Sequence, residues 1–496
     1  MPCRMRPERS PVHTMKTLNG ESGAMTARSP AAATLLLSLM LSACAVGPEY
    51  EAPQTADAEI AIATDAGLDT ASFEAAWWRQ FGDPVLDDLV SRALESDLDL
   101  RIAVARVREA RALFRDTRLD YAPAVTAHGG YQKQDAPLQG TTQAVELQAY
   151  ELGFDASWEL DLFGRVRHGV AAARADAENA EAQLRDAQVQ VAAEVAREYF
   201  NLRGAQQRLA VAERNLDNQR EALRLTRVRL ELGAGDELDV QSASARLKQT
   251  EATVPPLIIA ERAAAHRLAV LLGLRPGSLA AELAPVPVTP RVSGFAIGEP
   301  YELLRRRPDV RSAERALAAQ TARVGMATAD LYPRFDITGF FGFVSGSASA
   351  LGDSDTRAWI VAPTLTWSAF DLGSARARLA ASQAQADAQL AHYEKTVLRA
   401  LEETQNSFVA WEQDRKRLAA LVAQADASRR AAELARIRYR EGAVDFLRLL
   451  DAERTVLEAE DTVTLAEAEL NIDVVAIYKA LGGGWEAAPD PLASLQ

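Results

Sequence analysis

RVRLELGAGDELDVQSA, Arg227 to Ala243, reappears further along the chain as RIRYREGAVDFLRLLDA, Arg436 to Ala452. The two stretches keep one offset (442 − 233 = 209; 445 − 236 = 209), which Trp158 and Trp367 also obey. Upstream, Asp99-Leu100-Arg101 corresponds to Asp309-Val310-Arg311, and Pro123 to Pro333, at 210. The chain is an internal duplication with about one residue of slippage, and two copies are too few for a solenoid. Each copy reads helix, two short strands, then two long helices. That plan implies a pseudo-symmetric object which several chains complete together.

Each quoted stretch contains a helix end, a turn and a helix start. In Gly233-Ala234-Gly235-Asp236 and Gly442-Ala443-Val444-Asp445, glycine stops one helix and aspartate starts the next. No proline occurs from about Gly164 to Leu232, where Val195, Leu202, Leu209, Leu216, Leu223 and Leu230 recur every seven residues. That spacing marks a coiled-coil seam. A helix of this length extends about 100 Å, far more than one globular core requires. Its second copy runs from about Ser374 to Glu441, with Trp411, Leu418, Ala425, Ala432 and Tyr439 at the same phases. Small residues replace several leucines, so its neighbours must differ. Returning helices are expected from Glu237 to Leu272, with Val254-Pro255-Pro256 marking a kink or break, and from Phe446 to Leu481. Shorter helices are expected over Val85 to Leu119 and Tyr301 to Leu331.

From Tyr150 to Leu160 the even positions read Tyr150, Leu152, Phe154, Ala156, Trp158, Leu160, and the odd ones Glu151, Gly153, Asp155, Ser157, Glu159. One face is apolar and the other polar. A soluble sheet lying on a core has the same alternation. Context adds weight: Val125 to Gln132, Phe335 to Val344 and Trp359 to Phe370 are further strand candidates rich in aromatics and glycine. They suit membrane-barrel strands of about ten residues. Four strands cannot close a barrel, because the smallest have about eight, and open edges in hydrocarbon leave backbone groups unsatisfied. Strands from several chains must therefore combine. The long helices, joined at Asp161-Leu162-Phe163-Gly164 and Asp371-Leu372-Gly373, would continue the barrel as a tube.

Composition agrees with a largely helical protein. Of 496 residues 48% are hydrophobic, many of them alanine, and only 6% are aromatic. Net charge is -14 and the pI about 5.1, which speaks against a nucleic-acid partner. An apolar run, Ala31 to Ala43, follows Arg28 and ends at Cys44. It is short for a spanning helix and reads as a secretory signal, with Met25 a candidate true start and residues 1–24 an upstream extension. Leu41-Ser42-Ala43-Cys44 resembles a bacterial lipoprotein cleavage box, making Cys44 the expected lipid-bearing residue.

In order along the chain stand Cys44-Ala45-Val46-Gly47-Pro48-Glu49-Tyr50, WWRQFGDPVLDDLV from Trp77, RRRPDVRSAE from Arg305, ADLYPRFDITG from Ala329, LDAER from Leu450 and LGGGW from Leu481. With the duplication, these motifs make the chain resemble the outer membrane efflux proteins of the TolC and OprM type, in their lipid-anchored branch. The resemblance covers nearly all of the mature chain. It implies a mainly α fold with membrane β: a homotrimer whose 12-stranded transmembrane β-barrel, four strands per chain, continues into a coiled-coil α-barrel. Residues 1–43 would be signal and extension, and 44–97 the anchor and equatorial segment. The first repeat would be 98–273, an equatorial connector 274–300, the second repeat 301–482 and a tail 483–496. The implied role is a passive outer membrane duct in a tripartite system, with a periplasmic adaptor (membrane fusion) protein and an inner-membrane pump of the RND type as partners.

By the same resemblance, Asp451, Arg454 and Tyr439 form a periplasmic gate, Asp451 becoming a ring of three by symmetry. Like charges in such a ring resist joint ionisation and attract cations. The turns Gly233 to Leu238 and Gly442 to Leu447 would meet the adaptor, with Gly233, Asp236, Leu238, Gly442, Asp445 and Leu447 at the contact. A type I protein-secretion duct and a lipid-anchored coiled-coil scaffold without a pore are the competing readings.

Other chemistry finds little support. His13, His128, His168, His266 and His392 show no i, i+4 pairing for a metal. The runs Gly233 to Gly235 and Gly482 to Gly484 lack the Lys-Ser or Lys-Thr of a phosphate loop. No nucleophile–base arrangement is recognisable, so neither catalysis nor a cofactor is expected.

Overall fold

The computed structural model of the chain describes residues 46–53, 68–69, 74–137, 144–286, 295–296 and 306–489. The expected signal segment, Cys44, much of the connector and the end of the tail lie outside them. The strands are β1 (Leu68–Asp69), β2 (Ala124–Pro137), β3 (Ala144–Leu160), β4 (Phe295–Ala296), β5 (Arg334–Ser345) and β6 (Arg357–Thr366). β1 and β4 form a small parallel pair, and the other four make an antiparallel sheet in the order β2-β3-β5-β6.

Register separates the two faces of that sheet. Ala127, Phe154, Phe341 and Trp359 stand in one row, and Thr126, Asp155, Phe340 and Ile360 in the next. The first face continues through Val125, Leu152, Trp158, Ile337, Val361 and Leu365. It is apolar yet uncovered by the chain, with Phe154 57% and Trp359 74% exposed. The opposite face holds His128, Glu151, Asp155, Ser157, Glu159, Asp336 and Thr338. Ten residues separate Tyr150 from Leu160. At about 3.3 Å each and a tilt near 45°, the apolar band is about 25 Å tall, the height of a barrel's lipid belt. Its outer limit is the Tyr131–Tyr150 ring pair, 4.7 Å apart, beyond which Lys133 and Glu146 form an ion pair at 2.8 Å.

The opposite limit lies at the sheet–helix junctions. Phe163 stacks on Tyr332 at 4.8 Å, and the Trp367 indole N–H donates to the Leu331 carbonyl at 3.1 Å. β6 therefore stops at Thr366, short of the expected Phe370, because Trp367 turns toward the preceding junction. Val46 N–H donates to the Phe163 carbonyl, and Tyr50 O–H to Glu314 at 2.8 Å, so the segment after Cys44 is tied here.

The helices are α1 (Pro84–Ser96), α2 (Leu98–Leu119), α3 (Arg165–Glu231), α4 (Glu237–Leu271), α5 (Pro308–Ala329), α6 (Leu372–Arg440) and α7 (Phe446–Ala480). Among the described residues none is long and apolar enough to cross a membrane. The expected single helix over Val85 to Leu119 is two, divided at Asp97, whose carboxylate caps α2 through Asp99 and Leu100 N–H. Pro255 and Pro256 do not end α4, which runs through them. Their missing N–H groups cost two helix bonds, but packing along α3 keeps the path. Beside the sheet the helices lie in the order α2-α3-α5-α6, and farther along in the order α4-α3-α7-α6.

The largest core forms where the N-terminal segment wraps these helices. Trp77, Trp78, Phe81 and Leu86 pack with Tyr199 and Phe200 of α3, Trp411 of α6 and Tyr478 of α7. Trp77 stacks on Tyr478 at 5.2 Å and Phe81 meets Phe200 at 4.7 Å. The seam residues Val195, Leu202, Leu216 and Leu223 are buried, as the heptad implies. Gly204 permits a close approach of α3 to α7, since a Cβ there would lie 2.8 Å from that of Ala468.

Candidate functional site

The stretches that reveal the duplication build two matching tips. Gly233 N–H donates to Leu230 O at 2.9 Å and Ala234 N–H to Arg229 O at 2.9 Å; Gly442 donates to Tyr439 O at 3.0 Å and Ala443 to Arg438 O at 2.8 Å. These crossed bonds satisfy the last carbonyls of α3 and α6 and require a left-handed residue, supplied by Gly233 (φ 70°) and Gly442 (φ 74°). Asp236 then accepts from Leu238 N–H at 3.1 Å and Asp445 from Arg448 N–H at 2.8 Å, capping α4 and α7. Two positions after each capping aspartate, Leu238 and Leu447 remain 59% and 46% exposed. Both tips thus carry an uncovered leucine beside a rigid turn.

The expected gate residues fall into two groups. Arg454 donates to Asp451 at 2.7 Å, three residues apart on α7, and both are exposed. Tyr439, at the end of α6, packs instead on Phe446 at 5.6 Å and accepts a hydrogen bond from Arg229 of α3. The Arg229 guanidinium also lies over the Tyr439 ring, 4.9 Å from its centre. Asp239 lies near the same guanidinium. Partial burial, with help from Asp236 and Asp445, raises its carboxyl above the usual range, while Arg229 opposes the rise. Beneath the tips a small apolar core joins Leu216, Leu223, Val240, Ala243 and Leu247 of the first hairpin to Phe446, Leu449 and Leu450 of the second.

Sequence reading missed Arg229, because nothing local distinguishes it from the other arginines of α3. It also missed Arg307, within the RRRPDV motif. That buried side chain donates to Asp309 at 2.8 Å, to Glu403 of α6 at 2.9 Å, and to the final carbonyl of α7 at Ala480. Arg208 of α3 forms a two-pronged bridge to Asp461 of α7 at 2.7 and 2.9 Å, tying the repeats between the large core and the tips.

An apolar lipid-height belt, an opposite face that carries the acidic residues of β3 beside Phe340 and Ile360, and long paired helices together describe a membrane channel. The model of the outer membrane efflux protein family matches residues 89–274 and again 300–483, one match on each repeat. The chain belongs to this family. The outer membrane protein OprJ of Pseudomonas aeruginosa is 34% identical over 465 residues, covering 92% of this chain and 97% of its own. A toluene efflux pump outer membrane protein, TtgC of Pseudomonas putida, is 31% identical over 462 residues, covering 90% and 94%. Among solved structures, the outer-membrane channel OprN aligns with a TM-score of 0.87 at 49% identity, covering 89% of this chain and all of its own. This outer membrane efflux protein is therefore the outer membrane channel of an efflux pump, a conduit rather than an enzyme.

Proposed function

We propose that three copies join edge to edge into a passive duct, β6 of one protomer beside β2 of the next and α6 beside α2. The observation that carries this reading is the shared order of sheet and helices. Both β2-β3-β5-β6 and α2-α3-α5-α6 end on the same two flanks, and those flanks expose Leu98, Ile102 and Leu113 of α2 and Leu398 and Val409 of α6. Such contacts are head-to-tail and generate a ring. Two copies would give about eight strands, whose interior side chains fill; three give 12, wide enough to conduct.

Small molecules would enter from an RND-type inner-membrane pump through a periplasmic adaptor docked on Leu238 and Leu447. Relatives named for antibiotic, solvent and toluene efflux support such cargo. The Asp451–Arg454 pairs and Tyr439 would close the periplasmic end. Lipid on Cys44 would enter the inner leaflet at the sheet–helix junction, since Val46 is fixed to Phe163 and two residues span at most about 7 Å. Native mass spectrometry of protein extracted from outer membranes tests the assembly. The expected result is a trimer with three acylated Cys44 residues; a monomer without lipid would defeat the proposal.

A further inference from the structure

We infer that a cavity between α3, α4 and α7 is a binding site for an amphipathic monoanion, a carboxylate carried on an apolar body. The cavity has a volume of about 510 Å³, a size that suits a small organic molecule. It lies along the helices between the collar around Trp77 and the tips. Its apolar wall is formed by Val211 and Ala212 of α3, Pro256, Leu257 and Ala260 of α4, and Leu457 of α7. The Val254-Pro255-Pro256 stretch, which does not end α4, thus gives this wall a rigid ring. Arg208, Arg246, Arg454, Glu458 and Asp461 supply the charges.

Those charges decide the sign of the ligand. Arg208 is committed to Asp461 through two bonds, at 2.7 and 2.9 Å. Arg454 donates to Asp451, yet its Nε is buried without a hydrogen-bond partner, with Glu458 3.7 Å away. Half-buried Arg246 donates at 2.8 Å to the neutral amide of Gln249 and forms no ion pair among the described residues. Three arginines against two carboxylates leave the lining one net positive charge, in a chain whose net charge is -14. A positive, partly apolar cavity in an acidic protein selects anions locally. Arg246 is the group that would hold the carboxylate, and the wall would cover the ligand's body. The duplication adds a contrast: at the offset of 209, Arg246 corresponds to Thr455 and Ala260 to Glu469. The second repeat therefore has an acid where the first has wall and no cation in place of Arg246, and the site occurs once per chain.

Equilibrium dialysis of the purified full-length channel, held in lipid nanodiscs, tests the site with naphthoate as the probe. The expected result is saturable binding of one molecule per chain. Naphthylmethylammonium, with the same body and the opposite charge, should show only linear uptake into lipid. Arg246→Gln should weaken naphthoate binding about tenfold, the loss of one charge-assisted contact, and Arg246→Lys should restore part of it. Glu458→Gln, which removes a carboxylate from the lining, should tighten binding about twofold. Ala260→Phe fills the apolar wall and should abolish saturation with Arg246 still present. Unchanged heat resistance of the Arg246 and Glu458 variants shows that the site, not the fold, has been altered. The site is overturned if naphthoate uptake is linear, if Arg246→Gln binds as tightly as the unaltered channel, or if the cation binds more tightly than the anion.

Discussion

Around Trp77 the long helices are surrounded by the N-terminal segment, whereas around Gly233 and Gly442 they meet only each other. The first region buries Trp77, Trp78, Phe81, Tyr199, Phe200, Trp411 and Tyr478 in one continuous core. The second relies on eight buried side chains without a tryptophan, plus exposed ion pairs and the contact of Arg229 with Tyr439. The same four helices pass through both. A duct that opens at one end needs one section that holds the helices in register and another that can part, and the distribution of aromatic burial suits the collar and the tips to those proposed tasks.

The most direct way to break the contrast is Trp77→Ala. This side chain is fully buried and stacked on Tyr478. Its removal leaves a cavity and should cost about 4 kcal/mol, near the upper range for a large-to-small change. Thermal denaturation in detergent should show the assembly melting far below the unaltered protein. A small change would mean that the collar does not hold the helices.

Asp473 sharpens the comparison from inside the same collar. Burial pushes its carboxyl up to about 7, with Asp414 and Glu469 adding to the rise. Arg417 is committed to Glu469 at 2.7 Å, and Arg208 to Asp461, so neither neutralises this carboxyl directly. Below the ordinary aspartate value both folded and unfolded chains hold the proton, and no penalty exists. As pH rises from about 4 to about 7 the unfolded chain releases it first, so stability must fall through that window. The full shift corresponds to about 4 kcal/mol; half-burial and solvent screening reduce this to on the order of 2 kcal/mol. Asp473→Asn should flatten the decline and melt higher than the unaltered protein at pH 8. A parallel decline in both proteins would place its origin elsewhere.

Periodicity exposed much of this division in advance. The heptad from Val195 to Leu230, the tip glycines and aspartates, and the alternation from Tyr150 to Leu160 are local patterns, and the fold keeps each of them. The split at Asp97 was hidden because Val85 to Leu119 is helical on both sides of it, and only the cap reveals the turn. The end of β6 depends on a bond from Trp367 to Leu331, 36 residues away. At the proposed gate, Tyr439 and Asp451 could be named from family motifs, but the partner of Tyr439 could not. Arg229 lies 210 residues from it and acts only after the two hairpins meet.

The smallest expected effect on stability belongs to the pair with the largest expected effect on conduction. Asp451 and Arg454 are exposed and three residues apart on one helix, so their bond at 2.7 Å contributes no more than about 0.5 kcal/mol to the fold. Asp451→Asn should leave the melting temperature within about 2 °C of the unaltered protein. It should nevertheless lower cation preference in bilayers, measured as the reversal potential under a salt gradient, because three-fold symmetry would bring three such carboxylates together. A shifted melting point with an unshifted potential would reverse the roles assigned to collar and tip. Weak bonding here suits the proposed gate, since groups that were to hold the tips closed would have to cost little to separate when a partner engages them.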